Sequence, residues 1–219
     1  MTAAIIVASG SSQRMGFDKL LADIGGKSVL QRSVEAFLAV ESIEQIVVVC
    51  PEDRWSQIDI EDSRITRVDG GTTRQNSVNA GLDALGKGID YVAIHDGARP
   101  LVSAVDIEEC IVTAKDFGAA TLAKPATETM MRADEDGFST KRVDREQVWF
   151  METPQVFELE QLAKAAQYTR STNLNCTDEV SALQTIGGRV KFIEPSRPNL
   201  KITTPSDLAL ATALIKDAE

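Results

Sequence analysis

The sequence predicts an α/β fold on a mostly parallel, doubly wound sheet. Three observations carry this. Continuous apolar runs of strand length recur along the chain, as strands buried on both faces require. Helix-start signals separate them. Strands alternating with helices give parallel strands with helices on both sides.

The elements follow in order. Residues 3–8 form the first apolar run. A loop of Gly, Ser, Arg and Lys comes next. Ser28 with Gln31 has the spacing of a capping box, ahead of an apolar face made by Val29, Leu30, Val34, Phe37 and Leu38. Residues 46–49 predict a second strand. Thr72 with Gln75 predicts the cap of a helix running to about Leu85. Residues 91–94 predict a third strand, and Ser103 with Asp106 opens a helix to about Phe117. Residues 119–123 and 190–193 predict two further strands. Thr177-Asp178-Glu179 opens one helix. Thr204-Pro205-Ser206-Asp207 opens the last, with proline at its first position and an acid in its first turn.

The chain has 219 residues, no internal repeat and no low-complexity linker, so one domain over 1–219 is expected. Thirty-three acids against 23 bases give a formal net charge of −10. That balance argues against nucleic acid and anionic membranes as partners. If the ligand is anionic, the bases must be gathered locally. The three cysteines are far apart and form no Cys-x-x-Cys pair, which fits a reducing compartment. His95 is the only histidine, so a multi-histidine metal site is excluded. The apolar start of the chain is too short for a signal peptide or a membrane span, and a cytoplasmic location is expected.

Residues 126–149 break the rhythm. Charges and β-formers surround Asp136-Gly137, a hairpin turn signal. Two readings stand: a surface loop, or a β-arm that uses a partner surface and dimerises the protein.

Ligands of doubly wound sheets sit at the carboxyl ends of strands, so the chemistry is sought there. Ala8-Ser9-Gly10 leads into a loop carrying Arg14 and Lys19. Small residues let backbone N–H groups approach phosphates, and the two bases add fixed positive charge. The bland reading is a turn with two solvated bases. The loop matches neither a P-loop nor the three-glycine dinucleotide pattern. Asp69-Gly70-Gly71-Thr72 leads into a helix start, either an anion contact or a tight turn. Asp96 at a strand end is a candidate magnesium ligand or a turn cap. His95 reads as a hydrogen-bonded core group more readily than as a catalyst. Lys201, within Asn199-Leu200-Lys201-Ile202-Thr203, is either a functional cation or a lysine reaching solvent from an edge.

Taken together, these segments resemble the 2-C-methyl-D-erythritol 4-phosphate cytidylyltransferases. The likeness is carried by Arg14-Met15-Gly16 with Lys19, Asp69-Gly70-Gly71 with Arg74 and Ser77-Val78, and His95-Asp96-Gly97-Ala98-Arg99-Pro100. It continues through Thr129, Val143-Asp144-Arg145, Thr153-Pro154-Gln155, Thr177-Asp178-Glu179 and residues 199–203. The resemblance implies a Rossmann-like nucleotidyltransferase, homodimeric through residues 126–149. Its reaction joins CTP to the sugar-alcohol phosphate and releases pyrophosphate. It implies that Arg14 and Lys19 hold the triphosphate, that Asp96 lies by Mg2+, and that Arg145 and Lys201 position the attacking phosphate. Arg99 and Thr129 would help bind the sugar phosphate. Gly71, Thr72, Ser77 and the backbone of Ala8, Ser9 and Gly10 would meet the cytosine side. The chain departs from the family's usual residues at Ser11, Ser12, Asp18, Leu20, Thr72 and Gly97, and its first loop partly resembles molybdenum-cofactor nucleotidyltransferases. Ribitol-5-phosphate cytidylyltransferase shares the fold and the chemistry and competes with the methylerythritol reading. From a different class, a non-catalytic nucleotide-binding protein could keep the same fold.

The residue types suit such a reaction. A phosphate oxygen attacks phosphorus, so no general base is needed. The barrier lies in bringing anions together, which positioning and fixed positive charge lower.

Overall fold

The structure is a computed structural model and describes residues 1–10 and 16–216. Arg14, Ser11 and Ser12 lie outside the described residues.

The elements run in the order β1 (Thr2–Val7), α1 (Val29–Leu38), β2 (Ile43–Val49), α2 (Glu52–Trp55), β3 (Ile65–Val68) and α3 (Arg74–Asp83). They continue with β4 (Tyr91–Asp96), α4 (Ala104–Phe117), β5 (Ala119–Pro125), β6 (Met130–Ala133), β7 (Ser139–Val143) and a short 3-10 turn. The chain closes with β8 (Trp149–Glu158), α5 (Leu159–Thr172), α6 (Glu179–Gln184), β9 (Lys191–Ile193) and α7 (Pro205–Lys216). Seven strands make one sheet in the order β3-β2-β1-β4-β8-β5-β9. Strands β1 to β4 pair in parallel, as does β9 with β5. Strand β8 runs antiparallel to both β4 and β5, so the sheet is mixed at that point rather than wholly parallel. The sequence predicts no strand over 149–158, because Glu152-Thr153-Pro154-Gln155 breaks the apolar run there.

Alternation along the central strands feeds two cores. Ala4 and Ile6 of β1, with Ile46 and Val48 of β2, face α1, α4 and α7. Ile5, Val47 and Val49 point the other way, toward α3, α5 and α6. This is the doubly wound arrangement, and it follows from the two-residue period of a strand.

The caps explain the helix starts. Ser28 accepts from the Gln31 backbone N–H at 3.1 Å, and Ser103 from that of Asp106 at 3.0 Å. The Gln31 side chain does not return to Ser28. It donates to Glu35 instead, so only half of the expected box forms. The cap of α3 is Thr73, bonded to the Asn76 N–H at 3.1 Å, not Thr72 as the spacing predicts. Both threonines can cap, and Thr73 is the one with the extended backbone of an N-cap, at φ −124° and ψ 164°. The helix ends at Asp83, two residues short of expectation.

The hairpin is present at Asp136-Gly137, where Gly137 adopts a φ of 86° that a residue with a Cβ rarely takes. Strands β6 and β7 pair with each other and with no other described strand. None of their residues is buried.

Candidate active site

The site is built where β1, β3 and β4 end. Asp96 closes β4 and is 9% exposed. Its backbone N–H donates to Thr153 Oγ1 at 3.1 Å. Its carboxylate is gripped by two cations from distant parts of the chain: Arg74 Nε reaches Oδ1 at 3.1 Å, and Lys201 Nζ reaches Oδ2 at 2.7 Å. Burial alone would raise the Asp96 pKa. The charges of Arg74 and Lys201 outweigh it and hold the carboxyl well below its usual range. Arg74 also donates from Nη1 to both oxygens of Glu179, at 2.9 Å each. Burial lifts Glu179 above the ordinary glutamate value, with Arg74 opposing.

Glu179 sits here because α6 is capped from two sides. Asp178 Oδ1 accepts from the Ser181 N–H, and Gln155 Oε1 accepts from the N–H groups of Glu179 and Val180 at 3.2 and 3.3 Å. The acids at this helix start therefore do more than complement its dipole. One of them fixes the cation that fixes Asp96.

Lys19 Nζ donates to the carbonyl of Ile202 at 2.6 Å, one residue beyond Lys201. That segment is anchored by Ile202, whose N–H donates to the Ala98 carbonyl at 2.8 Å. Thus Lys19, from the start of the sequence, is bonded to the segment near its end that carries Lys201. Lys201 lies in a coil with its side chain half-exposed on Asp96, so it is not the buried lysine that its apolar neighbours imply.

A second set of contacts joins the loops after β1 and β3. Ser9 Oγ meets Ser77 Oγ at 2.7 Å, and the Gly71 N–H donates to Ser77 Oγ at 3.1 Å. A Cβ on Gly70 would lie 2.3 Å from that of Ser9, so only glycine lets these loops meet. Ala8 and Gly10 flank Ser9 here. Thr72 is exposed and accepts from Asn76.

Beneath the strand end lies His95, wholly buried and 4.8 Å from the Phe37 ring centroid. The Arg99 carbonyl can only accept, so His95 Nε2–H donates to it at 3.2 Å and Nδ1 of the neutral ring accepts from the Thr153 hydroxyl at 3.0 Å, whose oxygen accepts from the Asp96 N–H. Burial takes the imidazole pKa down to about 3. Both nitrogens are used and the ring stays neutral, as a core group would.

Of the other expected site residues, Thr129 and Arg145 stand apart from Asp96, whereas Arg99 lies directly behind it, its N–H on the Asp96 carbonyl at 3.0 Å and its charge acting on that carboxylate. Arg99 is 8% exposed, with Nη1 on the Asn199 carbonyl at 2.7 Å, Nη2 on that of Met151 at 3.3 Å, and buried Glu152 at 3.8 Å. Arg145 and Thr129 are exposed at the base of the hairpin, where Arg145 Nη1 donates to the Thr127 carbonyl. Nothing within this chain brings Arg145 to Asp96 among the described contacts. Sequence reasoning also misses Arg54 and Glu152, which carry no recognisable motif of their own, and gives Asn199 no role although it opens the segment 199–203. Arg74 and Glu179 are visible in the motifs, but their pairing is not.

No group of three or more metal-ligating side chains occurs among the described residues. Asp96 keeps lone pairs beyond the two it commits to Arg74 and Lys201. One carboxylate completed by substrate phosphates is how Mg2+ is commonly held, so the donor set fits that ion only together with a nucleotide.

The arrangement can hold and polarise a phosphorylated ligand, and it offers no activated nucleophile. The profile of the 2-C-methyl-D-erythritol 4-phosphate cytidylyltransferases matches residues 2–217. Proteins of that name from Caldanaerobacter subterraneus and Pelotomaculum thermopropionicum are 38% and 37% identical to this chain. The alignments cover 97% and 98% of it and 98% and 94% of theirs. The solved 4-diphosphocytidyl-2C-methyl-D-erythritol synthase of Anaerococcus prevotii superposes with a TM-score of 0.87 at 27% identity, covering 99% of this chain and 96% of that one. The Francisella tularensis cytidylyltransferase gives 0.85 at 30%, covering 97% and 98%. With the strand-end cluster and the full-length match in agreement, the chain belongs to the 2-C-methyl-D-erythritol 4-phosphate cytidylyltransferase family.

Proposed function

We propose a division of labour for the reaction of this family, which transfers a cytidylyl group from CTP to 2-C-methyl-D-erythritol 4-phosphate and releases pyrophosphate. A phosphate oxygen of the acceptor forms a bond to the α-phosphorus as the bond to the β-phosphate breaks. No proton moves. Lys19, with Arg14, holds the triphosphate and the charge developing on it. Lys201 aligns the acceptor phosphate, with Arg145 supplied at the hairpin base. The network of Ser9, Gly71 and Ser77 faces the base, with Thr72 at its rim. Asp96 would hold Mg2+, which supplies charge neutralisation on the phosphates when bound.

The observation that carries this reading is that Lys201 pairs with Asp96 while Lys19, from the other end of the sequence, is bonded to the carbonyl of the next residue, Ile202. An ion pair at about 4 Å gains ~4 kcal/mol at an effective dielectric near ~20. A few such cations offset the repulsion between two anionic substrates in a chain of net charge −10. His95 has no part in proton transfer.

Exposed Met131 and Phe138 on a hairpin that packs on neither core support a homodimer formed through residues 126–149. Arg99 and Thr129 then serve the sugar phosphate near that interface. Among the described residues no helix is long and apolar enough to cross a membrane. The buried thiols of Cys50 and Cys110 fit a cytoplasmic setting.

Pyrophosphate release from CTP tests the reading. Release with methylerythritol phosphate and not with ribitol 5-phosphate is the expected result. Release with ribitol phosphate alone overturns the acceptor assignment.

A further inference from the structure

Arg54 belongs to none of the groups above, yet it is only 7% exposed. It sits on α2, just after β2, and its guanidinium serves three separate atoms. Nη1 donates to the Ala8 carbonyl, Nη2 to the Gly10 carbonyl at 3.1 Å, and Nε to Asp18 Oδ2 at 2.6 Å. The second oxygen of Asp18 accepts from the Leu20 N–H at 3.1 Å, so that side chain arches over Lys19. Leu20 in turn is 3% exposed and packs in the core. Lys19 is therefore bracketed on its main chain while its Nζ is held at the Ile202 carbonyl.

Two consequences follow from the geometry. In a trans peptide the N–H and C=O point opposite ways. With the Ala8 carbonyl turned to Arg54, the N–H of Ser9 is turned away from it. And one planar guanidinium ties residues 8–10 to residue 18, the two flanks of the loop. A lysine ammonium is a point donor and cannot span all three acceptors in this fork geometry.

We propose that Arg54 and Asp18 form a clasp that sets the nucleotide half of the site. Arg54 is a positioning residue for CTP, acting through the Ser9 peptide and through Lys19. This rests on the reading that residues 8–10 and Lys19 face CTP.

Steady-state pyrophosphate release, with CTP and the acceptor varied separately, tests it on Arg54→Lys, Asp18→Ala and Lys19→Ala, with a thermal melt of each. Arg54→Lys should raise KM for CTP about 10-fold or more and leave KM for the acceptor within about 2-fold. Asp18→Ala should move the same constant in the same direction, and the double variant should be no worse than the worse single one. An unchanged KM for CTP in Arg54→Lys, while Lys19→Ala is impaired, overturns the clasp alone. So do two KM values rising together with a lowered Tm, the mark of a purely structural arginine. Wild-type kinetics in Lys19→Ala would instead remove the CTP reading beneath it. Should Arg54→Lys fail to fold, Asp18→Ala carries the same test, because the Asp18 side chain is 28% exposed.

Discussion

Asp96 shows how one side chain is given its state by others. Its burial works against ionisation, and Arg74 and Lys201 reverse the balance. In the proposed division of labour, Lys19 is the cation with the most at stake in turnover. Lys19→Ala should lower kcat by about 10²–10³, the loss that follows removal of one preorganised donor to developing charge. Single-turnover pyrophosphate release measures it. His95 makes a different prediction, for stability. Its folded pKa of about 3 lies below the ordinary 6.5. Between those values the unfolded chain binds a proton that the folded one does not. Stability is full above about 6.5 and is lost as pH falls toward the folded value, by up to ~1.4 kcal/mol per pH unit. Tm measured from pH 7 to 5, above most carboxylate titration, should fall in the wild type. It should fall less in His95→Gln, which has no such proton to bind.

At the scale of elements, the site is a junction of helix starts and strand ends. Arg74 opens α3, Glu179 opens α6 and Asp96 closes β4, and the arginine ties all three. Removing it strands a buried carboxylate. Arg74→Ala should cost about 2–3 kcal/mol in a urea titration, toward the low side for a broken ion pair because Arg74 is 27% exposed. Adding Glu179→Gln should recover part of that loss, since an amide needs no counter-charge. If the double variant is as unstable as the single one, the coupling between α3 and α6 is not electrostatic.

For the whole molecule, the hairpin is the odd part. It buries none of its own residues, and it leaves Phe138 72% exposed. Replacing residues 131–142 with a short glycine turn should give a folded monomer by sedimentation velocity, against a dimer for the intact chain. It should also raise KM for the acceptor more than KM for CTP. Arg145→Ala should repeat that kinetic split without dissociating the dimer. A dimer that survives loss of the hairpin sinks the interface.

Sequence by itself determined the strands other than β3 and β8, the two faces of the sheet, the caps at Ser28 and Ser103, the hairpin turn and the family. Those are local or periodic properties, written in neighbouring residues. Tertiary structure alone decided that β8 runs antiparallel, that α3 is capped by Thr73, that Arg99 lies buried on main-chain carbonyls, and that Arg54 ties the flanks of the first loop. It also decided which cation meets which acid: Arg74 with Glu179, 105 residues away, and Lys201 with Asp96, also 105. Charge carries no directional signal along a chain. Its partner is chosen only when packing of the sheet brings distant loops to one end.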